Sequence, residues 1–275
     1  MPEADYEHTY KKTVADFFDG RTRYDNDVTL KRALPLIEMV SLKPGQQVLD
    51  VATGTGIIAI AAAQKVGSTG KVIGIDFSAG MLRQAQYKSE QLDLHNIKWS
   101  EADADYADFD ADSFDAIFCS SALVYFKDIG KTLQSWYRWL KPSGVALFSG
   151  WSDRSYPAPW IIESCANHGI TLENINAPTG TPERCVALME TAGFKDVTVS
   201  QRQLGTYRTV EQLSGWDGSW FHPQANPLAT VPDEKLQQIV ADYHRRIATR
   251  ATEAGVWCES LAYYVVGRNA VVQQV

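Results

Sequence analysis

The chain has 275 residues, a formal net charge of −7 and a 45% hydrophobic fraction. It is long enough to bury a substantial core as one large domain or a domain with a lid, and no segment approaches the apolar length of a membrane span. Lys and Arg are scattered over an acidic background, which argues against nucleic-acid binding, because phosphate contacts need a basic face.

The opening Met1-Pro-Glu-Ala-Asp-Tyr-Glu7 is acidic and without an apolar core, so it is not a secretory signal. Cys119, Cys165, Cys185 and Cys258 are far apart and form no Cys-x-x-Cys pair, which implies reduced thiols, a cytoplasmic protein and no metal site. A helix is expected over residues 5–19, with Tyr6, Tyr10, Phe17 and Phe18 as its aromatic positions, followed by a polar stretch to Asp27. A second is expected over 28–42, with Leu30, Leu34, Ile37 and Val40 on one side and Pro35 weakening its middle. Lys43-Pro-Gly-Gln is turn chemistry. Strands then follow near 47–51, 71–76, 96–100, 114–119 and 144–150, alternating with helices near 57–66, 78–93 and 128–140, the second of these capped by Ser78. Short apolar strands separated by helices imply a parallel sheet covered on both faces.

After Gly150 the alternation lapses. Residues 151–181, with several prolines and aromatics, suggest a loop and a helix outside the sheet. A helix near 182–192 and a strand near 196–203 resume it. Residues 205–259 carry Trp216, Trp220, Phe221 and a helix from about 233 to 254, and a last strand runs from Ser260 to Arg268. The fold class is α/β: a Rossmann-like seven-stranded, mostly parallel sheet with helices on both faces and an added helical and loop cover. One domain spans 1–275: an N-terminal helical cover (1–42), a cofactor-binding core (43–150), a substrate cover (151–181 and 205–259), and segments completing the sheet (182–204 and 260–275).

Two segments carry the chemistry. Val48-Leu-Asp-Val-Ala-Thr-Gly-Thr-Gly56 is a strand that runs into a glycine turn and then a helix, and Val72-Ile-Gly-Ile-Asp76 is a strand ending in a carboxylate twenty positions beyond Gly56. A glycine turn before a helix N-terminus brings backbone N–H groups close to a ligand. An acidic side chain at the tip of the next strand suits the two hydroxyls of a ribose, so the cofactor carries an adenosine-like group. Gly54-x-Gly56-x-x-Ala59 also satisfies the dinucleotide fingerprint. Asp50, four residues before Gly54, argues against it, because a negative charge there would face a pyrophosphate and suits a cationic ligand better.

On these residues, with Gly74-Ile-Asp-Phe-Ser-Ala-Gly-Met-Leu82, Ala102-Asp-Ala104, Ser113-Phe-Asp-Ala-Ile117 and Leu140-Lys-Pro-Ser-Gly144, the chain resembles the class I S-adenosylmethionine-dependent methyltransferases, especially the ubiquinone/menaquinone-biosynthesis-like branch. The matches fall in order over roughly residues 40–150, and the remaining half matches in outline. The resemblance implies S-adenosyl-L-methionine as cofactor. It places Asp50, Ala52, Gly54 and Gly56 along the methionine part, where Ala52 replaces a more usual glycine as the ubiquinone-type branch tolerates. Thr53 or Thr55 would bond the cofactor carboxylate or cap the following helix. Asp76 would accept from the ribose, with Phe77 beside it. Met81 would lie against the adenine or face the core, and Asp103 and Ala104 would hold the adenine edge. Ser120, Ser121 or the Leu123 backbone would touch the cofactor at the end of the fourth strand. Tyr125 would face the methyl group or pack under the cover, and Tyr24 would follow a helix that folds over the cofactor.

Methyl transfer to an oxygen of high pKa needs a base, often histidine. Among His8, His95, His168, His222 and His244, His95 is expected at the far end of the sheet and His244 on a solvated face, while His222 lies in Trp220-Phe-His-Pro223 within the cover and is the best candidate. Trp151, Trp160, Trp216, Trp220, Phe221 and Trp257 would line a pocket for an apolar or aromatic acceptor or form the core of the lid. The reading is a small-molecule methyltransferase that favours oxygen, with the small-molecule acceptor as its partner. Rivals are a quinone-type C-methyltransferase, an N-methyltransferase, a nicotinamide-dependent oxidoreductase and a non-catalytic protein that retains the cofactor fold.

Overall fold

The computed structural model describes residues 3–270. The main strands are β1 (Gln47–Val51), β2 (Lys71–Asp76), β3 (Ile97–Glu101), β4 (Phe114–Ser120), β5 (Leu140–Trp151), β6 (Lys195–Gln203) and β9 (Leu261–Arg268). They form one seven-stranded sheet in the order β3-β2-β1-β4-β5-β9-β6. Only β9 runs against its neighbours β5 and β6. The chain winds outward from β1 through β2 to β3, then crosses back to β4. This reversal opens a crevice at the carboxyl ends of β1 and β4, where a doubly wound sheet binds its ligand.

Period-two alternation of apolar side chains assigns each face. Val48, Val72, Phe118, Val145, Leu147 and Tyr264 pack against α2 (Asp27–Glu38) and α3 (Ile57–Val66). Leu49, Val51, Ile75, Ile117, Phe148 and Val265 pack against α5 (Ile129–Trp139) and α7 (Pro182–Thr191). Truncating a buried leucine such as Leu49 to alanine would cost about 2–5 kcal/mol.

The second helix is shorter than expected. It begins on a capping box in which the Asn26 side chain accepts from the Val28 and Thr29 N–H groups, and it ends at Glu38. Pro35 lies inside it, buried. Ser78 caps α4 (Ala79–Gln91) by accepting from the Met81 N–H at 3.1 Å. Downstream, the helix expected to 254 is α9 (Asp233–Thr249), because residues 256–258 turn into a short strand, β8 (Val256–Cys258), that pairs antiparallel with β7 (Thr206–Arg208). With α6 (Ala158–Asn167) and α8 (Val210–Leu213), these elements bury their own core of Ile161, Leu213, Trp220, Ile239, Tyr243 and Ile247. The Tyr156 and Tyr243 hydroxyls are 2.6 Å apart within it. The remaining helix, α1 (Glu3–Asp19), lies across the carboxyl ends of the strands. No helix among the described residues is long and apolar enough to cross a membrane.

Candidate active site

Asp76 and the turn at the tip of β1 are built as one unit. The Gly54 N–H donates to Asp76 Oδ2 at 2.7 Å, and the Ser78 N–H donates to Oδ1 at 2.9 Å. Each carboxylate oxygen keeps a second lone pair for a further donor. Asp76 is buried, which raises its pKa, while the backbone N–H bonds work the other way. Gly54 has φ +55, and a Cβ added there would meet nothing within 4 Å, so its backbone faces open space in which a ligand can approach. Gly56 is glycine for a different reason: with φ +79, its added Cβ would lie 2.6 Å from the Trp99 ring, which also covers Gly74. Ala52 adopts φ +52, a left-handed conformation that glycine tolerates better.

Asp50 lies beneath the turn, fully buried. Its Oδ2 accepts from the Thr53 hydroxyl at 2.5 Å and from the Ala59 N–H at 3.0 Å, so it ties the turn to the start of α3. Burial pushes its pKa up to about 7. The Thr53 hydroxyl is therefore engaged with Asp50, and the Thr55 hydroxyl with Asp25.

A single small cavity gathers Ala52, Asp76, Phe77, Ala102, Asp103, Ala104, Tyr125 and Phe126 with Tyr10, Lys11 and Val14 of α1. Of the expected cofactor residues, Ala52, Asp76, Phe77, Asp103 and Ala104 thus share one wall. The cavity offers about 10 Å³, roughly the room one water needs, because Tyr10 and Val14 are buried against it. Lys11 Nζ is 3.0 Å from Asp103 Oδ1 and also pairs with Asp105. It stands 5.9 Å from the centre of the Phe77 ring. The α1 helix is further held where Asp19 accepts from the Ser78 hydroxyl and from the Gly80 N–H at 2.8 Å. The donor and acceptor set fits an adenosine-containing cofactor: paired lone pairs at Asp76, an apolar wall at Phe77 and Ala104, a carboxylate at Asp103, and open space over Gly54. The α1 side chains Tyr10, Lys11 and Val14 fill the space beside these groups.

Met81 is buried in the first turn of α4 and is not among the cavity's walls. Ser120 ends β4 with its hydroxyl buried and unpartnered, and Ser121 (φ +58) pairs with the Ser149 hydroxyl at 3.2 Å. Tyr125 borders the cavity. Tyr24 lies off it, its hydroxyl accepting from Arg32 at 2.8 Å. His222 sits in the cover, buried. Its Nδ1 accepts weakly from the Gln224 N–H at 3.3 Å, which leaves the proton on Nε2, 3.8 Å from Glu173 Oε2. Burial holds its pKa below the ordinary histidine value, against the pull of Glu173. The His222 carbonyl accepts from the Tyr6 hydroxyl at 2.8 Å, which joins cover to α1.

His95 is exposed beside Asp93. His244 departs from the solvated face expected of it, its ring nitrogen lying 3.1 Å from the Ser214 carbonyl oxygen. Trp220 belongs to the cover's core, and Trp257 pairs with Tyr207 on the exposed β7–β8 ribbon, so neither is free to line a pocket. Lys11, Val14, Arg21 and Arg32 went unmarked in the sequence. Only the i, i+4 spacing of Tyr10 and Val14 signalled a buried helix face.

The strand order, the glycine turn and the acidic tip of β2 define the Rossmann-like fold of the class I methyltransferases. Residues 48–144 match the family described as methyltransferase domain, and the resemblance to the S-adenosylmethionine-dependent, ubiquinone/menaquinone-type enzymes holds. The chain is similar to a 2-phytyl-1,4-naphtoquinone methyltransferase of Nostoc sp., 39% identical over 111 residues, covering 40% of this chain and 48% of that protein. It is also similar to the nocamycin O-methyltransferase of Saccharothrix syringae, 24% identical over 250 residues, covering 85% and 89% respectively. The match thus spans about half the length of the Nostoc relative and most of the second. Among solved structures, the YcgJ protein of a Bacillus shares the fold at TM-score 0.59 and 16% identity, over 89% of this chain and 99% of that one.

Proposed function

We propose that this chain transfers a methyl group from S-adenosylmethionine to a small apolar or aromatic metabolite, at an oxygen atom. The observation that carries the reading is the convergence of the tips of β1, β2 and β3. There Gly54 is bound to Asp76, and Phe77, Asp103 and Ala104 complete one wall. When bound, the cofactor supplies an electrophilic methyl group on a sulfonium, with a neutral thioether as leaving group. In this reading Asp76 accepts from the ribose and Asp103 from the adenine amine. Asp50, ionised when a cation lies nearby, favours the positive end of the ligand. Residues 43–150 serve as the cofactor core, residues 1–42 with 151–181 and 205–259 as covers, and 182–204 with 260–275 complete the sheet.

The protein's part in such a displacement is alignment and exclusion of water. In this reading Tyr125, which lines the cavity, borders the acceptor, and the apolar cover keeps solvent out. His222, held neutral near pH 7 by burial, serves as the base that takes the acceptor's proton. For that, its ring must release its contact with Gln224 or Glu173 and turn a free nitrogen inward. Carbon methylation of a quinone-type acceptor is the second reading, favoured by the 39% identity to the Nostoc enzyme over the core.

Titration with S-adenosylmethionine and with NADH, followed by turnover with labelled methyl donor across phenolic, quinone and amine acceptors, tests the proposal. Binding of NADH without the sulfonium cofactor would remove it, and label found only on carbon would shift it to the second reading.

A further inference from the structure

We propose that Arg21 and Arg32 form the subsite for a negatively charged group on the methyl acceptor, so that the enzyme selects aromatic acids over their neutral counterparts. The inference rests on the methyltransferase reading and names the acceptor class for that same site. On an acidic chain, three lysines near the crevice are matched with carboxylates: Lys11 with Asp103 and Asp105, Lys88 with Asp25, Lys127 with Glu7. Arg21 and Arg32 differ. Among the described residues neither forms an ion pair with a carboxylate, and both are packed instead on aromatic rings. The Arg21 guanidinium is 4.5 Å from the Phe17 ring centre and 5.8 Å from that of Tyr24. That of Arg32 is 6.0 Å from the Tyr24 ring centre and 5.8 Å from that of Trp151.

Stacking of this kind fixes a guanidinium without neutralising it. Arg32 donates one bond, to the Tyr24 hydroxyl at 2.8 Å, and its Nε is buried with no partner. A buried donor left unmade is costly, and a planar fork with a free edge suits a carboxylate accepting two parallel bonds.

The pair stands within electrostatic reach of the Tyr125 hydroxyl. Tyr125 links the two regions: it borders the cavity beside Asp76 and Phe77, and its ring meets Phe18 edge-on at 6.0 Å. Both arginines favour the ionised form of its hydroxyl, although burial dominates and raises its pKa. Trp151 ends β5, two residues beyond Ser149 and so on the same face of the strand. An aromatic acid is thus offered flat surfaces at Phe18, Tyr24 and Tyr125 and a cationic edge at Arg21 and Arg32.

The test uses the full chain and three titrations: S-adenosylhomocysteine, 1-hydroxy-2-naphthoate, and the neutral 1-hydroxy-2-naphthamide, in wild type, Arg32→Gln and Arg21→Gln. The acid should bind wild type about tenfold or more tighter than the amide. That preference should shrink in both variants while affinity for S-adenosylhomocysteine stays put. Arg21 is exposed, so its variant keeps the test readable if Arg32→Gln folds poorly. Equal binding of acid and amide, binding of neither, or an unchanged preference in both variants overturns the subsite. Wild type that binds no S-adenosylhomocysteine overturns the methyltransferase reading instead, and the acid–amide comparison is then decided on the ligand-free protein.

Discussion

Lys11 of α1 sits 3.0 Å from the carboxylate of Asp103 at the tip of β3, ninety-two residues away in sequence. The side chain expected to read an adenine amine is already paired with a cation, and Tyr10 and Val14 fill the space beside it. Under the proposed cofactor placement, closure of α1 and entry of the cofactor compete for the same groups. Both partners are largely buried, so the pair is screened less than a surface one, and about 1 kcal/mol is a fair scale for it. Lys11→Ala should speed association of S-adenosylhomocysteine several-fold and tighten it modestly, with a small loss of thermal stability. Stopped-flow fluorescence reads this directly, and unchanged association kinetics would mean that the pair does not gate entry.

The turn glycines should separate under mutation. Gly56→Ala drives a Cβ to 2.6 Å from Trp99 and should act on stability, with a cost of about 1–3 kcal/mol. At Gly54 an added Cβ meets no protein atom within 4 Å, so beyond the strain of its positive φ Gly54→Val should act on cofactor binding. Asp76→Ala should weaken S-adenosylmethionine about ten- to a hundredfold. Because Asp76 also holds Gly54 and Ser78, it should lower the melting temperature too. Calorimetry with thermal unfolding on the three variants checks the split. If Gly54→Val binds normally, the turn is not at the ligand.

The sheet and the motif wall were legible because their signals are local. Alternating apolar residues and glycine turns placed β1, β2 and α3 at their observed bounds, and the Ser78 cap marked the start of α4. What escaped was non-local or conditional. The β7–β8 ribbon joins two three-residue strands across some fifty residues, too short for any periodic signal. Trp99 reads as an ordinary strand residue until its ring is seen lying over Gly56 and Gly74. Asp50 was legible as a carboxylate just before the glycine turn, but its bonds to Thr53 and the Ala59 N–H depend on the closed turn. Pro35 weakens a helix in isolation, and tertiary burial overrides that within α2.

Asp50 gives the ligand-free protein a pH dependence of definite sign. Its folded pKa is raised to about 7, against roughly 4 in the unfolded chain. Between those values the folded state holds more protons, so stability falls as pH rises through that window, by up to about 1.4 kcal/mol per unit. Asp50→Asn, which keeps an acceptor for the Ala59 N–H, should flatten the decline. Ligand-free melting temperatures measured from pH 5 to 8 test this; an identical slope in wild type and variant would assign the effect to other groups.

The joint between α1 and the cover yields the last prediction. The Tyr6 hydroxyl donates to the His222 carbonyl, and the Phe17 ring meets Phe221 at 5.4 Å. Any movement of α1 that admits cofactor must therefore disturb residues 216–222. Gating segments are drawn from the less stable parts of a fold. The core formed by α6 and α9, with Ile239, Tyr243 and Ile247 fully buried, should by contrast stay protected throughout. Hydrogen exchange should then slow together in residues 6–24 and 216–222 when S-adenosylhomocysteine and an acceptor bind, leaving 239–247 unchanged. His222→Ala should keep cofactor affinity and lower turnover by roughly a hundredfold or more if the ring takes the acceptor's proton. The loss should be largest at pH values above the titration of His222, where the ring is neutral, and below that of the acceptor hydroxyl, and should shrink at low pH, where the wild-type ring is protonated too. Normal turnover across pH would place the base elsewhere. Exchange that responds in α1 alone would uncouple the cover from cofactor entry.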